Sequence, residues 1–499
     1  MPIVPLAPLN RLLATGGPVL GLRQDGVRLF RGIPFAAPPV GERRFLPPAP
    51  PAPWKEPLDC TRFRPSSLQG NPGERTIRHS EDCLYLNLWA PEEGENLPVL
   101  VFIHGGGFSD GSPAQRMFDG TAFAKNGVVQ VNITYRLGAL GFMAFPEVEA
   151  AHGNLGNCGL LDQIAALGWV RENIAAFGGN PDNVTICGES AGSYSVSCLM
   201  VSPLAKGLFR RAILESGNLL GQPIVSPRAN GSREQAVSAS ARYMRSLGAK
   251  DLVALRRLSG PKLAAGAAFR LNMTSPPVYN FWPVFDGHVL PKNPFAALKA
   301  DGLNCDEMLA GFNADEGTLF IPPTAGEEAY VQLVDNVFGR QGWQVLDRYP
   351  VDKKHPGALR ARELVKMGLR FGSDVFADEL AARGGRAWYY TFDYAGPALE
   401  IAGLGSMHAL ELPFVFATVP RPLLAVESVR ACVEFVHKAW LGFVRGGDPN
   451  AAGAKGKKPW PGYTAGGKEM MVIDAAPRPG KAPDTGDVAF YRRLLWEGA

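Results

Sequence analysis

The chain has 499 residues, of which 46% are apolar and 20% are charged, and its formal net charge is +4. This composition is typical of a globular protein and excludes extensive disorder. The charge is nearly balanced and has no long block of one sign, so neither nucleic acid nor a membrane surface is an expected partner. We find no signal peptide and no apolar run long enough to cross a bilayer.

The seven cysteines are an odd number, and their spacing is not that of metal ligands. Free thiols in a reducing compartment are the ordinary condition of such a set. We therefore expect a cytoplasmic, enzyme-sized protein without a metal ion. The sequence leaves its oligomeric state open.

Strand-like apolar runs alternate with helical stretches along the chain. An N-terminal hairpin is predicted around Asp25-Gly26. The later strands are LYLNLWAP, LPVLVFIHG, GVVQVNITYR, FRRAILESG, CDEMLAGFN and RAWYYTFDY. Helical spacing is clearest in LDQIAALGWVRENIAAFGG, EQAVSASARYMRSLGA and ESVRACVEFVHKAWLGFV. The alternation predicts an α/β fold with a large, mostly parallel central sheet flanked by helices, and with small antiparallel strands at the N-terminus. No long linker interrupts the chain, so residues 1–499 are predicted to form a single domain.

A serine lies between two glycines in the segment NVTICGESAGSYSV, where a strand-like run meets a helical one. A strand that turns directly into a helix needs small neighbours at the turn, and Gly188 and Gly192 meet that need. Ser190 would then present its hydroxyl beside the N-terminus of a helix, where a developing negative charge is stabilised. This pattern predicts a nucleophile, whereas the simpler alternative is a loop rich in glycine and serine.

Three consecutive glycines follow the strand LPVLVFI in the sequence HGGGF. Glycines let backbone N–H groups approach a substrate oxygen closely, as acyl transfer requires for its charged tetrahedral intermediate. A phosphate loop is disfavoured because the segment lacks the G-x-G-x-x-G pattern and no Lys-Ser/Thr pair follows. Gly106, Gly107 and Ala191 are therefore the candidate donors of an oxyanion hole.

The acid and the base of a serine hydrolase should follow the serine in the chain. The acid is expected in the segment LAGFNADEG, where Asp315 and Glu316 are both candidates on chemical grounds. His408 is the candidate base, because it follows the strand RAWYYTFDY after a glycine-rich loop. The other histidines either precede the serine or fall in turns and in an amphipathic helix.

Taken together, these segments resemble the type-B carboxylesterase/lipase family, which includes the cholinesterases and has the α/β-hydrolase fold. The resemblance covers nearly the whole chain and rests on FRGIPFAAPPVGERRF, SEDCLYLNLW, VFIHGGGF, NITYRLGALGF, GNPDNVTICGESAG, GFNADEG and MHALELPFVF. It implies that Glu316, rather than Asp315, is the acid beside His408. It also implies hydrolysis of small carboxylic esters through an acyl-enzyme on Ser190, with no metal or organic cofactor.

Two departures from the family pattern stand out. The family usually has a disulfide ending at the position of Cys83, but the partner position here is Ser67. Cys83 is therefore expected to be unpaired, and pairing with Cys60 is the less favoured alternative. Cholinesterases carry a choline-binding tryptophan in this loop, whereas the segment between Ser67 and Cys83 has none. We therefore expect neutral, apolar esters as substrates, in the manner of bacterial p-nitrobenzyl-type esterases.

Two further functions were considered beside ester hydrolysis. A carbamate or amide hydrolase would use the same machinery. A non-catalytic adhesion module is disfavoured because this chain retains all three triad residues and shows no secretion or membrane segment. For the acyl pocket, position in the sequence indicates Trp282 and Phe320, with Tyr279 and Phe281 nearby.

Overall fold

The computed structural model describes residues 4–5, 16–71, 73–74, 76–225, 232–266, 281–454, 456, 458–482 and 486–497. One residue considered for the acyl pocket, Tyr279, lies outside the described residues.

A 12-stranded sheet forms the centre of the molecule, and its strands are numbered here in chain order. They are β1 Val4–Pro5, β2 Leu22–Gln24, β3 Val27–Pro34, β4 Tyr85–Pro91, β5 Leu97–Ile103, β6 Val129–Ile133, β7 Gly179–Glu189, β8 Arg211–Glu215, β9 Glu307–Asn313, β10 Arg386–Phe392, β11 Glu469–Ile473 and β12 Arg478–Lys481. Their spatial order is β1-β2-β3-β4-β6-β5-β7-β8-β9-β10-β11-β12. The strands from β6 across to β11 pair in parallel, and antiparallel strands complete both edges.

Helices connect most of these strands. The α-helices of the described residues are α1 Thr121–Lys125, α2 Gly138–Phe142, α3 Pro146–His152, α4 Cys158–Asn173, α5 Ala191–Val201, α6 Gln222–Val225, α7 Arg233–Ser246, α8 Leu252–Arg256, α9 Gly260–Ala265, α10 Pro294–Asp301, α11 Glu327–Phe338, α12 Gly342–Arg348, α13 Gly357–Ala382, α14 Pro397–Ile401, α15 Leu412–Val415, α16 Glu427–Gly446 and α17 Asp487–Arg492. Within the described ranges, none of them combines the length and the apolarity that a membrane crossing would need.

Both faces of the sheet are covered, as the predicted fold requires. Successive side chains of a strand point to opposite faces. Along β5, Val99 and Val101 therefore join the core beneath α4 and α5, while Leu100 and Phe102 join a second core beneath α16. Because the parallel strands are buried on both faces, their sequences are continuous apolar runs. The predicted fold class, a mostly parallel α/β sheet with antiparallel N-terminal strands, is confirmed.

The hairpin predicted around Asp25-Gly26 joins β2 to β3, and both turn residues have positive φ, 52° and 78°. The last two strands were not predicted. β12 has the sequence RPGK, and its proline and glycine are unfavourable in the interior of a strand. Such residues are tolerated here because β12 is the outermost strand of the sheet.

Parallel strands bring their carboxyl ends to one edge of the sheet, where open α/β folds build their sites. At this edge β5 ends in the glycine loop, and β7 ends at Ser190. β9 ends just before Glu316, and the loop after β10 carries His408.

Candidate active site

Ser190 occupies the turn between β7 and α5 with φ 54° and ψ −123°. A positive φ is uncommon for a residue with a side chain, and it marks local backbone strain. The turn is held in place because the Ser190 N–H donates to the Glu215 carbonyl at 2.9 Å. The Ser190 carbonyl in turn accepts from the Tyr194 N–H, also at 2.9 Å. The serine thus lies at the start of a helix, as the sequence pattern indicated.

Close backbone contacts explain the two glycines that flank the serine. A Cβ atom on Gly192 would lie 2.0 Å from the Ile103 carbonyl oxygen, and one on Gly188 would lie 2.4 Å from the Gly192 backbone. Such distances are far inside van der Waals contact, so neither position accepts a side chain without moving the backbone. The glycines therefore allow α5 to start directly against the end of β5.

The glycine loop after β5 turns with positive φ at Gly106 and Gly107, 105° and 60°. The N–H groups of Gly106, Gly107 and Ala191 donate no hydrogen bond to another residue in the described part of the chain. Unpaired N–H groups of this kind are available to a ligand oxygen. His104, which precedes the loop, is not suited to be a base, because burial lowers its pKa to about 4.

His408 and Glu316 form a direct hydrogen bond, from Nδ1 to Oε2 at 2.5 Å. Glu316 is fully buried, and its other oxygen accepts the Asn313 N–H at 2.8 Å. This arrangement places the Nδ1 proton towards the carboxylate and leaves Nε2 to face the opposite direction.

Asp315 has a different contact from its neighbour. Its Oδ2 accepts the Ser406 N–H at 2.9 Å, and its own N–H donates to the Ser406 carbonyl at 3.0 Å. Asp315 therefore anchors the loop that carries His408 and does not contact the imidazole, so the structure brings Glu316 rather than Asp315 to the histidine.

Three further buried carboxyl groups in and around the site were not identified from the sequence. Glu189 Oε1 lies 3.1 Å from His408 Nε2, although neither atom has a hydrogen-bond partner of suitable geometry. Glu411 accepts a hydrogen bond from the Asn313 side chain at 2.5 Å, and Glu215 accepts one from the Trp440 indole at 2.5 Å. The only sequence signal for them is a glutamate at or just beyond the end of an apolar run, as in ICGES and AILES.

The crowding of carboxyl groups changes the protonation of the site. Burial raises the pKa of Glu189 despite the attraction of His408, and burial together with repulsion from Glu316 raises the pKa of Glu411. Burial alone would lower the pKa of His408, but Glu189 and Glu316 outweigh it and raise that pKa. Interacting groups of this kind titrate as a unit rather than one by one.

Aromatic rings contact the elements that carry the site. Phe320 lies against the imidazole, with 5.0 Å between the ring centroids of Phe320 and His408. Trp282 packs on Phe108, directly after the glycine loop, at 4.9 Å, and on Tyr194 of α5 at 5.2 Å. Both residues indicated from the sequence, Trp282 and Phe320, therefore lie next to the elements that carry the site.

Comparison with known proteins agrees with this arrangement. A sequence profile described as the carboxylesterase family matches residues 10–491. The para-nitrobenzyl esterase of Bacillus subtilis (strain 168) is 35% identical over 482 residues, which cover 92% of this chain and 94% of that protein. The chain belongs to the carboxylesterase family. The phenmedipham hydrolase of Pseudarthrobacter oxydans is 34% identical over 487 residues, covering 92% of this chain and 94% of that protein.

Among solved structures, one titled PNB esterase superposes on this carboxylesterase with a TM-score of 0.81 at 31% identity, covering 97% of this chain and 99% of that one. The predictions of a carboxylic ester hydrolase and of an α/β-hydrolase fold are therefore confirmed.

In this carboxylesterase a serine, Ser67, stands where the family usually has the disulfide partner of Cys83. Ser67 and Cys83 are both buried and line the same small cavity, and the Ser67 hydroxyl opposes the effect of burial on the thiol. Burial raises the pKa of the Cys83 thiol to about 12, so the thiol stays protonated. Cys83 is a buried free cysteine, as expected from the serine at the partner position.

The fit of Gly192 against β5 can be tested by mutation. Gly192→Ala is expected to cost on the order of 1–3 kcal/mol of stability, because the new methyl group overlaps the Ile103 carbonyl. Gly168→Ala is the matched control, since nothing lies within 4 Å of its Cβ position in α4. That substitution should be neutral or stabilising by roughly 0.5–1 kcal/mol. Urea unfolding midpoints measure both, and equal midpoints would contradict the close packing described here.

Proposed function

We propose that this carboxylesterase acts by two-step acyl transfer, with Ser190 as nucleophile, His408 as general base and acid, and Glu316 as the carboxylate that orients the imidazole. The observation that carries the proposal is the buried His408–Glu316 hydrogen bond, which lies at the same edge of the sheet as the serine turn. The unbonded N–H groups of the glycine loop and of α5 support it further.

In the proposed first step, His408 Nε2 removes the Ser190 proton while Oγ attacks the ester carbonyl. The N–H groups of Gly106, Gly107 and Ala191 receive the negative charge that develops on the carbonyl oxygen. His408 then gives its proton to the departing alcohol. A water molecule activated by the same imidazole hydrolyses the acyl-enzyme. Glu316 stabilises the imidazolium that forms in each step.

We assign the acyl part of the substrate to the aromatic side of the site, near Trp282 and Phe320. Apolar rings favour neutral, apolar acyl groups because contact removes apolar surface of both partners from water. This assignment rests on the contact of Phe320 with His408 and on that of Trp282 with Phe108.

Carbamate hydrolysis is a second candidate, and the relative named phenmedipham hydrolase supports it. A carbamate carbonyl would react with the same serine, and the two activities differ in the rate of deacylation rather than in the catalytic groups. Side-by-side measurements of kcat/KM for a nitrophenyl ester, the matching nitrophenyl carbamate and the matching anilide would rank ester, carbamate and amide hydrolysis.

We further propose a cytoplasmic location and a single domain for residues 1–499. All seven cysteines are buried and free, which suits a reducing compartment. Motifs for the proposed catalytic groups are spread from β5 to the loop after β10, so the site draws on most of the length of the chain.

The nucleophile is tested by Ser190→Ala. This variant should fold as the wild type does and lose on the order of 10⁴- to 10⁶-fold in kcat, as expected when a triad is disabled. An organophosphate should label the wild type at Ser190 only, as read by mass spectrometry of the digested protein. Labelling of the variant to the same extent would contradict the assignment.

The two adjacent carboxylates can be separated by amide substitutions. Glu316→Gln is expected to lower kcat by about 10⁴-fold, because it removes the charge opposite the imidazolium and disturbs the tautomer. Asp315→Asn should cost far less, since an amide oxygen can still accept the Ser406 N–H. The comparison is kcat/KM for one ester, and the reverse ranking would refute the role given to Glu316.

The third prediction concerns pH. Activity requires neutral His408, so kcat/KM should fall as pH decreases through the pKa of the histidine. Because Glu189 raises that pKa, Glu189→Gln should move the acid limb of the profile to lower pH. Glu93→Gln, on an exposed turn after β4, should leave the limb in place. An unchanged limb in Glu189→Gln, measured as kcat/KM against pH, would show that the two groups are not coupled.

A further inference from the structure

Asn313 is the last residue of β9, and its side chain is fully buried. Its backbone N–H donates to Glu316 Oε1 at 2.8 Å. Its side-chain amide has two N–H groups, and both are directed to the segment that carries His408. One residue of β9 is therefore hydrogen-bonded both to the proposed acid and to the segment of the proposed base.

The two hydrogen bonds of the Asn313 amide end on either side of His408. Nδ2 donates to the Met407 carbonyl at 2.8 Å and to Glu411 Oε2 at 2.5 Å. Met407 directly precedes His408, and Glu411 follows it by three residues. One planar amide group thus closes the turn formed by residues 407–411, which we call the histidine turn.

The orientation of the amide follows from its partners. The Met407 carbonyl can only accept hydrogen bonds, and it also accepts the Leu410 N–H at 3.2 Å. Rotation of the amide by half a turn would set Asn313 Oδ1 against that carbonyl, and two acceptors in contact without a donor are unfavourable. Nδ2 therefore faces the histidine turn, whereas Oδ1 accepts no hydrogen bond from the described residues. The contribution of this side chain lies in its two donors.

The histidine turn contains a strained residue. Ala409, directly after His408, has φ 67°, which is an uncommon conformation for a residue with a side chain. Strained residues of this kind persist where the surrounding contacts impose them. The hydrogen bonds of Asn313 lie on both sides of Ala409 and join the turn to the end of a central strand. Asn313 is thus placed to impose the backbone conformation that orients the imidazole.

The hydrogen bond to Glu411 also affects the charge of the imidazole. Glu189, Glu316 and Glu411 raise the pKa of His408 against the effect of burial. Burial and repulsion from Glu316 raise the pKa of Glu411 itself to about 7, and the Asn313 amide opposes them because it donates to the carboxylate. Loss of the amide would therefore favour protonation of Glu411 and weaken its attraction for the imidazolium.

Two further titratable groups interact with Glu411, namely Glu215 of β8 and Tyr390 of β10, and both are fully buried. Burial and repulsion from Glu411 raise the pKa of Glu215, and burial together with the carboxyl groups raises the pKa of Tyr390. Neither group can bring a positive charge to Glu411. The Asn313 amide therefore supplies a compensation that these neighbours do not.

We propose that Asn313 is a positioning residue for acyl transfer, whose side-chain amide fixes the histidine turn and the Glu411 carboxylate while its backbone N–H orients Glu316. Asn313 acts through His408 and Glu316 rather than on the substrate. This inference rests on the proposed function, because the base and the acid that it positions are those assigned there.

Asn313→Leu tests the proposal, because leucine has nearly the shape of asparagine but donates no hydrogen bond from its side chain and adds no charge. We expect kcat for a nitrophenyl ester to fall by about 10²-fold, the loss that follows a small misplacement of catalytic groups, while KM changes little. The rate of organophosphate labelling of Ser190, followed by mass spectrometry, should fall in parallel, since labelling depends on the same base. Wild-type kcat in this variant would contradict the proposal.

The pH profile separates positioning from a loss of stability. In Asn313→Leu the acid limb of kcat/KM against pH should move to lower pH, because a protonated Glu411 no longer stabilises the imidazolium form of His408. A merely structural contribution would lower activity at every pH and leave the limb in place. An unmoved limb would therefore overturn the proposal.

Thr318→Val is the matched control. The Thr318 hydroxyl donates to the Leu404 carbonyl at 2.7 Å, so it also joins the segment of the acid to the loop before His408, but outside the histidine turn. This variant should lower the urea midpoint and change kcat and the acid limb little. Equal losses of kcat in Thr318→Val and Asn313→Leu would mean that any hydrogen bond to this loop serves as well, and the proposal would be wrong.

A reversed hydrogen bond provides the test if Asn313→Leu does not fold. Asn313→Asp places a carboxylate against Glu411 and the Met407 carbonyl and should lose more activity than the leucine variant. Addition of Glu411→Gln restores a donor and an acceptor in the opposite order. The double variant should therefore recover about tenfold in kcat over Asn313→Asp, the range of one charge-assisted hydrogen bond. Absence of recovery would overturn the role given to the amide.

The outcomes separate the two levels of inference. Absence of ester hydrolysis by the wild type, with no organophosphate labelling of Ser190, would refute the proposed function itself. An active wild type together with an equally active Asn313→Leu variant would leave that function in place and overturn only the role of Asn313.

Discussion

The buried imidazole of His408 stands among several buried carboxyl groups, and their burial and mutual repulsion govern the protonation of the site. Glu316 hydrogen-bonds to the imidazole, and Glu189 lies on its other side. Carboxylates removed from water are destabilised unless cations or hydrogen-bond donors compensate them. The Asn313 side chain supplies a donor to Glu411, and the Trp440 indole supplies one to Glu215. Glu189 lacks such a donor and depends on the imidazole instead, which ties its protonation to that of His408.

The elements of the fold and the proposed catalytic groups could largely be predicted because their signals are local. Ser190 lies in a strand–turn–helix sequence whose two glycines are explained by contacts within that turn and with the adjacent strand. β5 and β7 are continuous apolar runs because the sheet is buried on both faces. Glu316 was separated from Asp315 by resemblance alone. The physical reason for choosing Glu316 is visible only in the three-dimensional structure, where Asp315 contacts Ser406 and Glu316 contacts the histidine.

The buried carboxyl groups and the edge strand β12 could not be predicted, because they depend on contacts between distant segments. Glu189 and Glu411 are far apart in the chain, and nothing in their local sequences shows that both act on one imidazole. β12 was missed for a related reason, since its proline and glycine argue against a strand until its place at the sheet edge is known. The side chain of Gln69 is also held by a distant segment, since its amide exchanges two hydrogen bonds with the Gly111 backbone.

The site is also chemically asymmetric, because different segments of the chain supply its aromatic rings and its carboxyl groups. Trp282 packs both on Phe108, directly after the glycine loop, and on Tyr194 of α5. The carboxyl groups of Glu189 and Glu316 lie instead at the two nitrogen atoms of the His408 imidazole. In the proposed mechanism the ester carbonyl lies at the N–H groups of the glycine loop, so the substrate meets both apolar rings and buried carboxyl groups. With the acyl part proposed to lie near Trp282 and Phe320, the reversed orientation is disfavoured wherever it would bury a polar group among these rings without a hydrogen-bond partner.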